Sequence, residues 1–203
     1  MTLLANILAT RCGVDAEALA AAERTRSEKG GQLGEILLQQ KAISERQLLE
    51  ALGHQFDVPF WPKLPLNDID ADLVSKIPIQ FLKKHSLVPL NYRRPLTARE
   101  CGLEPATAGE ADRPLWGGGC VIAVRDPLNF QALDDLVRLL NIPDYRLILS
   151  TREAILSAIN LQYDLRRDSA EQLVQNMEED GSTIINEIEE TADLLDDTSD
   201  API

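Results

Sequence analysis

Two histidines, three cysteines and the adjacent aspartates Asp134 and Asp135 are the side chains of this sequence best suited to nucleophilic, metal or acid–base chemistry. His54 and His85 stand 31 residues apart, and no carboxylate pattern near either would orient an imidazole as a base. Both read as helix-end or surface histidines. Cys12, Cys101 and Cys120 are widely spaced, odd in number and form no C-x-x-C pair. They spell neither a disulfide framework nor a zinc site and suit a reducing compartment. Asp134 and Asp135 could share a proton only if their carboxyls met. Adjacent helical positions diverge by about 100°, so both are expected to be solvated. No G-x-x-x-x-G-K-[ST] phosphate loop occurs. Gly117–Gly119 runs into the apolar stretch "CVIAV" rather than into a helix N-terminus, and so lacks the geometry that cradles phosphate. These residues predict no catalytic group and no metal site, and they point to binding rather than turnover.

The elements that would build a binding surface begin with an internal repeat. "LANILATRCGVDAEALAAAE", from Leu4, and "LGEILLQQKAISERQLLEAL", from Leu33, align at an offset of 29 residues. Ile7 then meets Ile36, Leu8 meets Leu37, Val14 meets Ile43, Leu19 meets Leu48 and Ala22 meets Ala51. Asp15 meets Ser44, two residue types favoured at helix N-caps. Each unit reads as a helix, a tight break, a cap and a second helix. Leu48, Leu49 and Leu52 put an apolar stripe on the last of these helices. Units this short cannot bury their apolar faces alone, so the two should pack on each other. "RTRSEKGG" is the expected polar connection between them.

From Phe56 the pattern changes. "FDVPFWPKLPLNDID" has three prolines and no helical period, and reads as a crossing segment. "DADLVSKIP" is a short capped helix stopped by Pro78, and "IQFLKKH" a second short helix. "SLVPLNY" alternates like a strand, with Pro89 placing it at an edge or an end. Residues 94–119 form a long Pro/Gly-rich stretch, expected to be an insertion or flexible flap. "CVIAV" is a buried strand, "DPLNFQALDDLVRLLN" a helix opened by Asp126 and Pro127, "YRLILS" a strand, and "TREAILSAINLQY" a helix with Leu156, Ile159 and Tyr163 on one face. The expected fold is α+β, with a helical bundle over 1–60, a small α/β domain over 61–165 and an acidic helical linker over 166–203.

Charge supports that division. The net charge is −13, yet 12 of the 33 acidic residues lie after Arg167, where no Lys or Arg occurs. The rest of the chain is close to neutral, so it offers no polyanion-binding excess, and the tail would repel nucleic acid. The first residues, "MTLLANILATRCG", have no basic flank or small-residue cleavage site, and no apolar run approaches the length needed to span a bilayer. A cytoplasmic protein without direct membrane insertion is expected.

Four blocks in consistent order carry a resemblance over roughly residues 30–165: "LGEILLQQKAISERQLLEALGHQFDVPF", "IPIQFLKKHSLVPL", "VIAVRDPLNFQALDDL" and "TREAILSAINLQYD". Together they resemble the N-terminal domain of the type II secretion and type IV pilus assembly ATPases. The final "TSDAPI" resembles the point where those ATPases enter their motor domain. The resemblance implies a docking and regulatory domain that is not itself an enzyme. It further implies a parent ATPase whose ATP and Mg sites, and whose hexameric assembly, belong to a motor domain outside this chain. The implied partners are that motor domain and the cytoplasmic domain of the inner-membrane secretion platform protein, which would hold the protein at the inner face of the bacterial inner membrane. Helices like residues 1–31 resemble the secretion branch, so Leu4, Ile7 and Leu8 are the expected docking residues.

One subgroup of this family binds cyclic di-GMP through an "RLG…G-[LI]-[LI]…L…L…Q" pattern. Leu33, Gly34, Leu37, Ile43, Leu48, Leu52 and Gln55 match it, which makes Gln32, Leu33, Gly34 and Gln55 the candidate nucleotide-binding residues. Two positions depart. Gln32 stands where a basic residue is expected, and a glutamine amide can neither pair with phosphate through charge nor stack as a guanidinium does. Lys41 stands where a glycine is expected, at a position suited to positive φ.

Overall fold

The computed structural model describes residues 3–67, 69, 71–104, 112, 114–165 and 167. The chain divides into Met1–Tyr163 and Asp164–Ile203. Apart from Arg167, the expected acidic linker lies outside the described residues.

Four helices open the first unit: α1 (Leu3–Cys12), α2 (Ala16–Lys29), α3 (Leu33–Gln39) and α4 (Glu45–Phe56). The repeat is visible in their packing, because α1 lies against α4 and α2 against α3. That exchange of partners is what two copies related by a pseudo-two-fold produce. Equivalent positions share one core: Leu8 and Leu37, Leu19 and Leu48, and Ala22 and Ala51 are all buried. The break in each copy passes through a left-handed residue, Gly13 at φ 64° and Lys41 at φ 55°. Ser44 caps α4 with a full capping box, its hydroxyl accepting from the Gln47 N–H while the Gln47 side chain accepts from the Ser44 N–H. Asp15 occupies the matching N-cap of α2 without a side-chain bond. The connection between copies is shorter than expected. Arg24 to Lys29 stay helical, supported by the Arg26–Glu23 pair at 2.8 Å, and only Gly30 and Gly31, at φ 75° and 97°, break the chain.

The crossing segment leads through a 3-10 turn (Ala71–Lys76) and α5 (Ile79–His85) to a three-stranded sheet of order β1 (Leu87–Tyr92), β4 (Gly119–Val124), β5 (Arg146–Leu149). β1 is antiparallel to β4, with Pro89 opposite Ile122, so the proline sits in the edge strand as its missing N–H requires. β4 is central and its last four residues are buried. β5 runs parallel to β4, and α6 (Phe130–Leu140) makes the crossover that a parallel pair needs. The last helix, α7, runs over residues 152–165.

Three further expectations change. Residues 94–119 are not a detached flap in their described part. Leu96 and Cys101 are wholly buried in the main core, and β2 (Leu96–Thr97) pairs with β3 (Pro114–Trp116). Asp126 does not open α6 but forms a turn before it, its Oδ1 accepting from the Leu128 N–H at 2.9 Å, and Asn129 takes the N-cap position. The buried stripe of α7 runs through Ile155, Ala158, Ile159 and Gln162, with Leu156 and Tyr163 at its margins.

Two hydrophobic clusters result, and α4 belongs to both. Leu48 and Ala51 face the helical core, Leu49 joins the core of the sheet, and Leu52 packs against each. One helix therefore fixes the place where the bundle meets the α/β layer.

Candidate functional site

That meeting place holds a cavity of about 340 Å³, within the usual range for ligand pockets. Its floor is apolar, made of Leu33 from α3 and Leu48, Leu49 and Leu52 from α4. Leu3 and Leu4 of α1 close one side, and Arg125, Asp126 and Leu128, in the loop between β4 and α6, close another. Gly34 lets α3 approach α4. A Cβ there would stand 2.6 Å from Leu48 Cδ1, so the residue is a close-packing glycine as well as a wall of the cavity.

All four candidate nucleotide-binding residues, Gln32, Leu33, Gly34 and Gln55, come together on this cavity. So does Leu4, which the sequence placed in a separate docking surface. The offset of 29 residues explains this. Leu3 and Gln32, Leu4 and Leu33, and Arg26 and Gln55 are repeat-equivalent pairs, and all six residues line the cavity. Each half contributes the same positions, and neither Leu3 nor Gln32 supplies a charge. The other two expected docking residues differ. Ile7 is half-buried, and Leu8 has no exposed surface, because it is a core position of the bundle and cannot face a partner.

The electrostatics were not legible in the helical repeat. Arg125, contributed from 90 residues beyond Glu35, reaches into the bundle and donates through Nε to Glu45 Oε1 and through Nη2 to Glu35 Oε1, both at 2.9 Å. Glu45 Oε1 also accepts from the backbone N–H of Arg152 at the start of α7, at 3.2 Å. Burial opposes the charge on Arg125, but the bonds to Glu45 and Glu35 outweigh it and raise its pKa, so the cation is held. Arg26, the second cation of the lining, pairs with Glu23 at 2.8 Å. Gln55 Oε1 is shut off from solvent and has no hydrogen-bond partner. The sequence signal available for Arg125 was a lone cation following an apolar strand, which gives no hint of its partners.

Among the described residues the cysteines, the histidines and Asp134 do not assemble into a site. Burial raises the thiol pKa of Cys101 to about 12 and of Cys120 to about 11, and raises that of Cys12 with help from Glu50. Such thiols stay protonated and are poor nucleophiles. His54 Nε2 lies 2.9 Å from Arg11 Nη1, and His85 lies against Asn129 and the ring of Phe81. Asp134 is exposed and pairs with Arg138 one turn on. Among the described residues no group of His, Cys, Asp and Glu could hold a metal ion, and no helix is long and apolar enough to cross a membrane.

Comparison with known proteins places this geometry. Residues 114–169 match the model of the MshEN domain. Over 200 residues, 98% of the chain, the sequence is 24% identical to the type IV pilus assembly ATPase PilB of Myxococcus xanthus. The chain spans 31% of that relative's length. A solved structure of MshE with cdg (cyclic di-GMP) superposes with a TM-score of 0.53 at 20% identity, over 80% of this chain and all of the other. The N-terminal domain of XpsE superposes with a TM-score of 0.51 at 19% identity, over 78% and 92%. These two likenesses show a common fold. The domain match adds that residues 114–169 resemble the MshEN domain, and the sequence similarity that the chain as a whole resembles part of a type IV pilus assembly ATPase.

Proposed function

We propose that this chain is the docking and regulatory domain of a secretion ATPase, binding the cytoplasmic domain of the inner-membrane platform protein to couple a motor to export. The observation that carries this reading is the cavity where bundle and α/β layer meet. It has a leucine floor, its two cations are already matched by carboxylates, and its rim carries the exposed Leu3 and Leu128. Apolar surface open at the junction of two cores is the kind of surface a partner segment covers. Cytoplasmic placement at the inner membrane, a hexameric parent and ATP with Mg bound elsewhere in that parent belong to the same proposal.

Calorimetric titration of the chain with the platform protein's cytoplasmic domain tests it. Association at micromolar concentration, weakened at least tenfold by Leu3→Asp, is expected. Leu3 is 61% exposed, so the substitution should leave the melting temperature unchanged. No association well above micromolar would refute docking.

A second reading is cyclic di-GMP sensing. It is favoured by the convergence of Gln32, Leu33, Gly34 and Gln55 on one cavity built from both repeats. Titration of the unmodified chain and of a Gln32→Arg, Lys41→Gly double variant with cyclic di-GMP separates the readings. Micromolar binding by the unmodified chain supports the sensor. Binding by the double variant alone marks a site whose use has been lost.

A further inference from the structure

Three properties of the cavity define what fits it. First, its floor is leucine, with Leu33, Leu48 and Leu49 buried within it. An occupant must therefore bring an apolar side chain. Second, Gln55 offers a carbonyl oxygen that is hidden from solvent and has no donor. A buried acceptor without a donor is costly, and the terminal torsion of a glutamine is soft enough to turn that oxygen toward an occupant. Its repeat-equivalent Arg26, on the same cavity, presents only donors. An occupant that gives an N–H to one and a C=O to the other is a peptide group. Third, the charges disfavour an anion. Glu35, Glu45 and Asp126 line the cavity against Arg26 and Arg125, and Arg125 is already bonded to two carboxylates. An incoming carboxylate or phosphate would have to displace Glu35 or Glu45 while adding to an existing negative excess.

We propose that the cavity selects an uncharged or basic apolar peptide segment, its side chain on the leucine floor and its main-chain N–H on Gln55, and rejects acidic groups. This rests on the docking reading and names the chemistry of the partner segment that would fill the site.

Two small probes of one shape isolate the charge. N-acetyl-leucinamide carries the apolar side chain and uncharged amides, and N-acetyl-leucine replaces the terminal amide with a carboxylate. Both are titrated into ¹⁵N-labelled chain, with shifts followed at Leu33, Leu48, Leu52 and Gln55. The expected result is saturable shifts with the amide and at least fivefold weaker binding of the carboxylate. Gln55→Met, whose melting temperature is checked first, should weaken the amide at least threefold. Equal or tighter binding of the carboxylate overturns the proposal, as do cyclic di-GMP shifts at lower concentration than the amide. Absence of shifts at these residues with either probe does the same. The platform titration is read separately. Platform binding without probe selectivity leaves docking standing and removes this inference. Probe selectivity without platform binding keeps the chemistry of the cavity and removes the named partner.

Discussion

Lys41 shows how one backbone angle can be legible in a sequence. Its alignment with a position suited to glycine predicts φ > 0, and the residue stands at φ 55°. A side chain there costs roughly 1–2 kcal/mol, while glycine gives back about 0.5–1 kcal/mol through the freer unfolded chain. Lys41→Gly should therefore stabilise the fold by about 0.5–1 kcal/mol in urea denaturation, and a loss of stability would show that the lysine side chain contributes more than the strain costs. Glu100 is the opposite case, invisible beforehand because it sat in a stretch expected to be an insertion or flexible flap. The Arg94 guanidinium at 2.6 Å and the Thr97 N–H at 2.9 Å hold its carboxyl at about 2, below the ordinary 4.5. A depressed carboxyl contributes stability above its unfolded value that drains away as pH falls from about 4.5 toward 2. Glu100→Gln should lower stability at pH 7 and flatten its decline over that window, as read by denaturation at several pH values.

At the scale of elements, periodicity located the helices and the three strands of the main sheet, because each is longer than the repeat of its own apolar pattern, about 3.6 residues in a helix and 2 in a strand. It failed where tertiary contacts decide. Leu96 and Cys101 belong to the main core, yet polar and glycine neighbours hid them in the sequence. The α7 stripe turned from Leu156 to Ile155 because the fully buried Gln162 is carried on that face by a bond from its Nε2 to the Pro89 carbonyl, a partner 73 residues away. α4 gives the sharpest test of local rules against context. Gly53 lies inside it, and helix propensity alone says Gly53→Ala should gain about 1 kcal/mol. A Cβ there would stand 2.8 Å from the Val58 carbonyl oxygen, while the Gly53 carbonyl accepts from the Val58 N–H at 3.0 Å. Backbone cannot swing aside as a leucine tip can, so overpacking of about 1–3 kcal/mol should win. A fall in melting temperature of a few degrees is expected, at about 2–4 °C per kcal/mol for a chain of this size. A rise would mean that the turn after α4 yields.

The first unit as a whole depends on how its two cores are held in register, and the sequence could not show that. The residues of the cavity floor were legible, since they recur at an offset of 29. The clasp over them was not, because Arg125 meets Glu35 and Glu45 only after the α/β layer has folded against the bundle. Hydrophobic contact through Leu49 and Leu52 joins the layers without fixing an angle, whereas three directed bonds onto Glu35 and Glu45 do fix one. Arg125 is 27% exposed in its side chain and Glu45 32%, so the cluster is neither a free surface pair nor a buried one. Its value should lie between those limits. Arg125→Met leaves two carboxylates facing each other and should cost about 1–2 kcal/mol. Adding Glu35→Gln and Glu45→Gln removes the stranded charges and should recover part of that loss, a coupling of about 0.5–1 kcal/mol in a mutant cycle. Raising salt from about 0.05 to 0.5 M screens the unmodified cluster and should narrow the gap between it and Arg125→Met. If the cycle is additive and the gap is insensitive to salt, Arg125 acts as packed aliphatic surface, and the angle between bundle and sheet is set by the leucines of α4 alone.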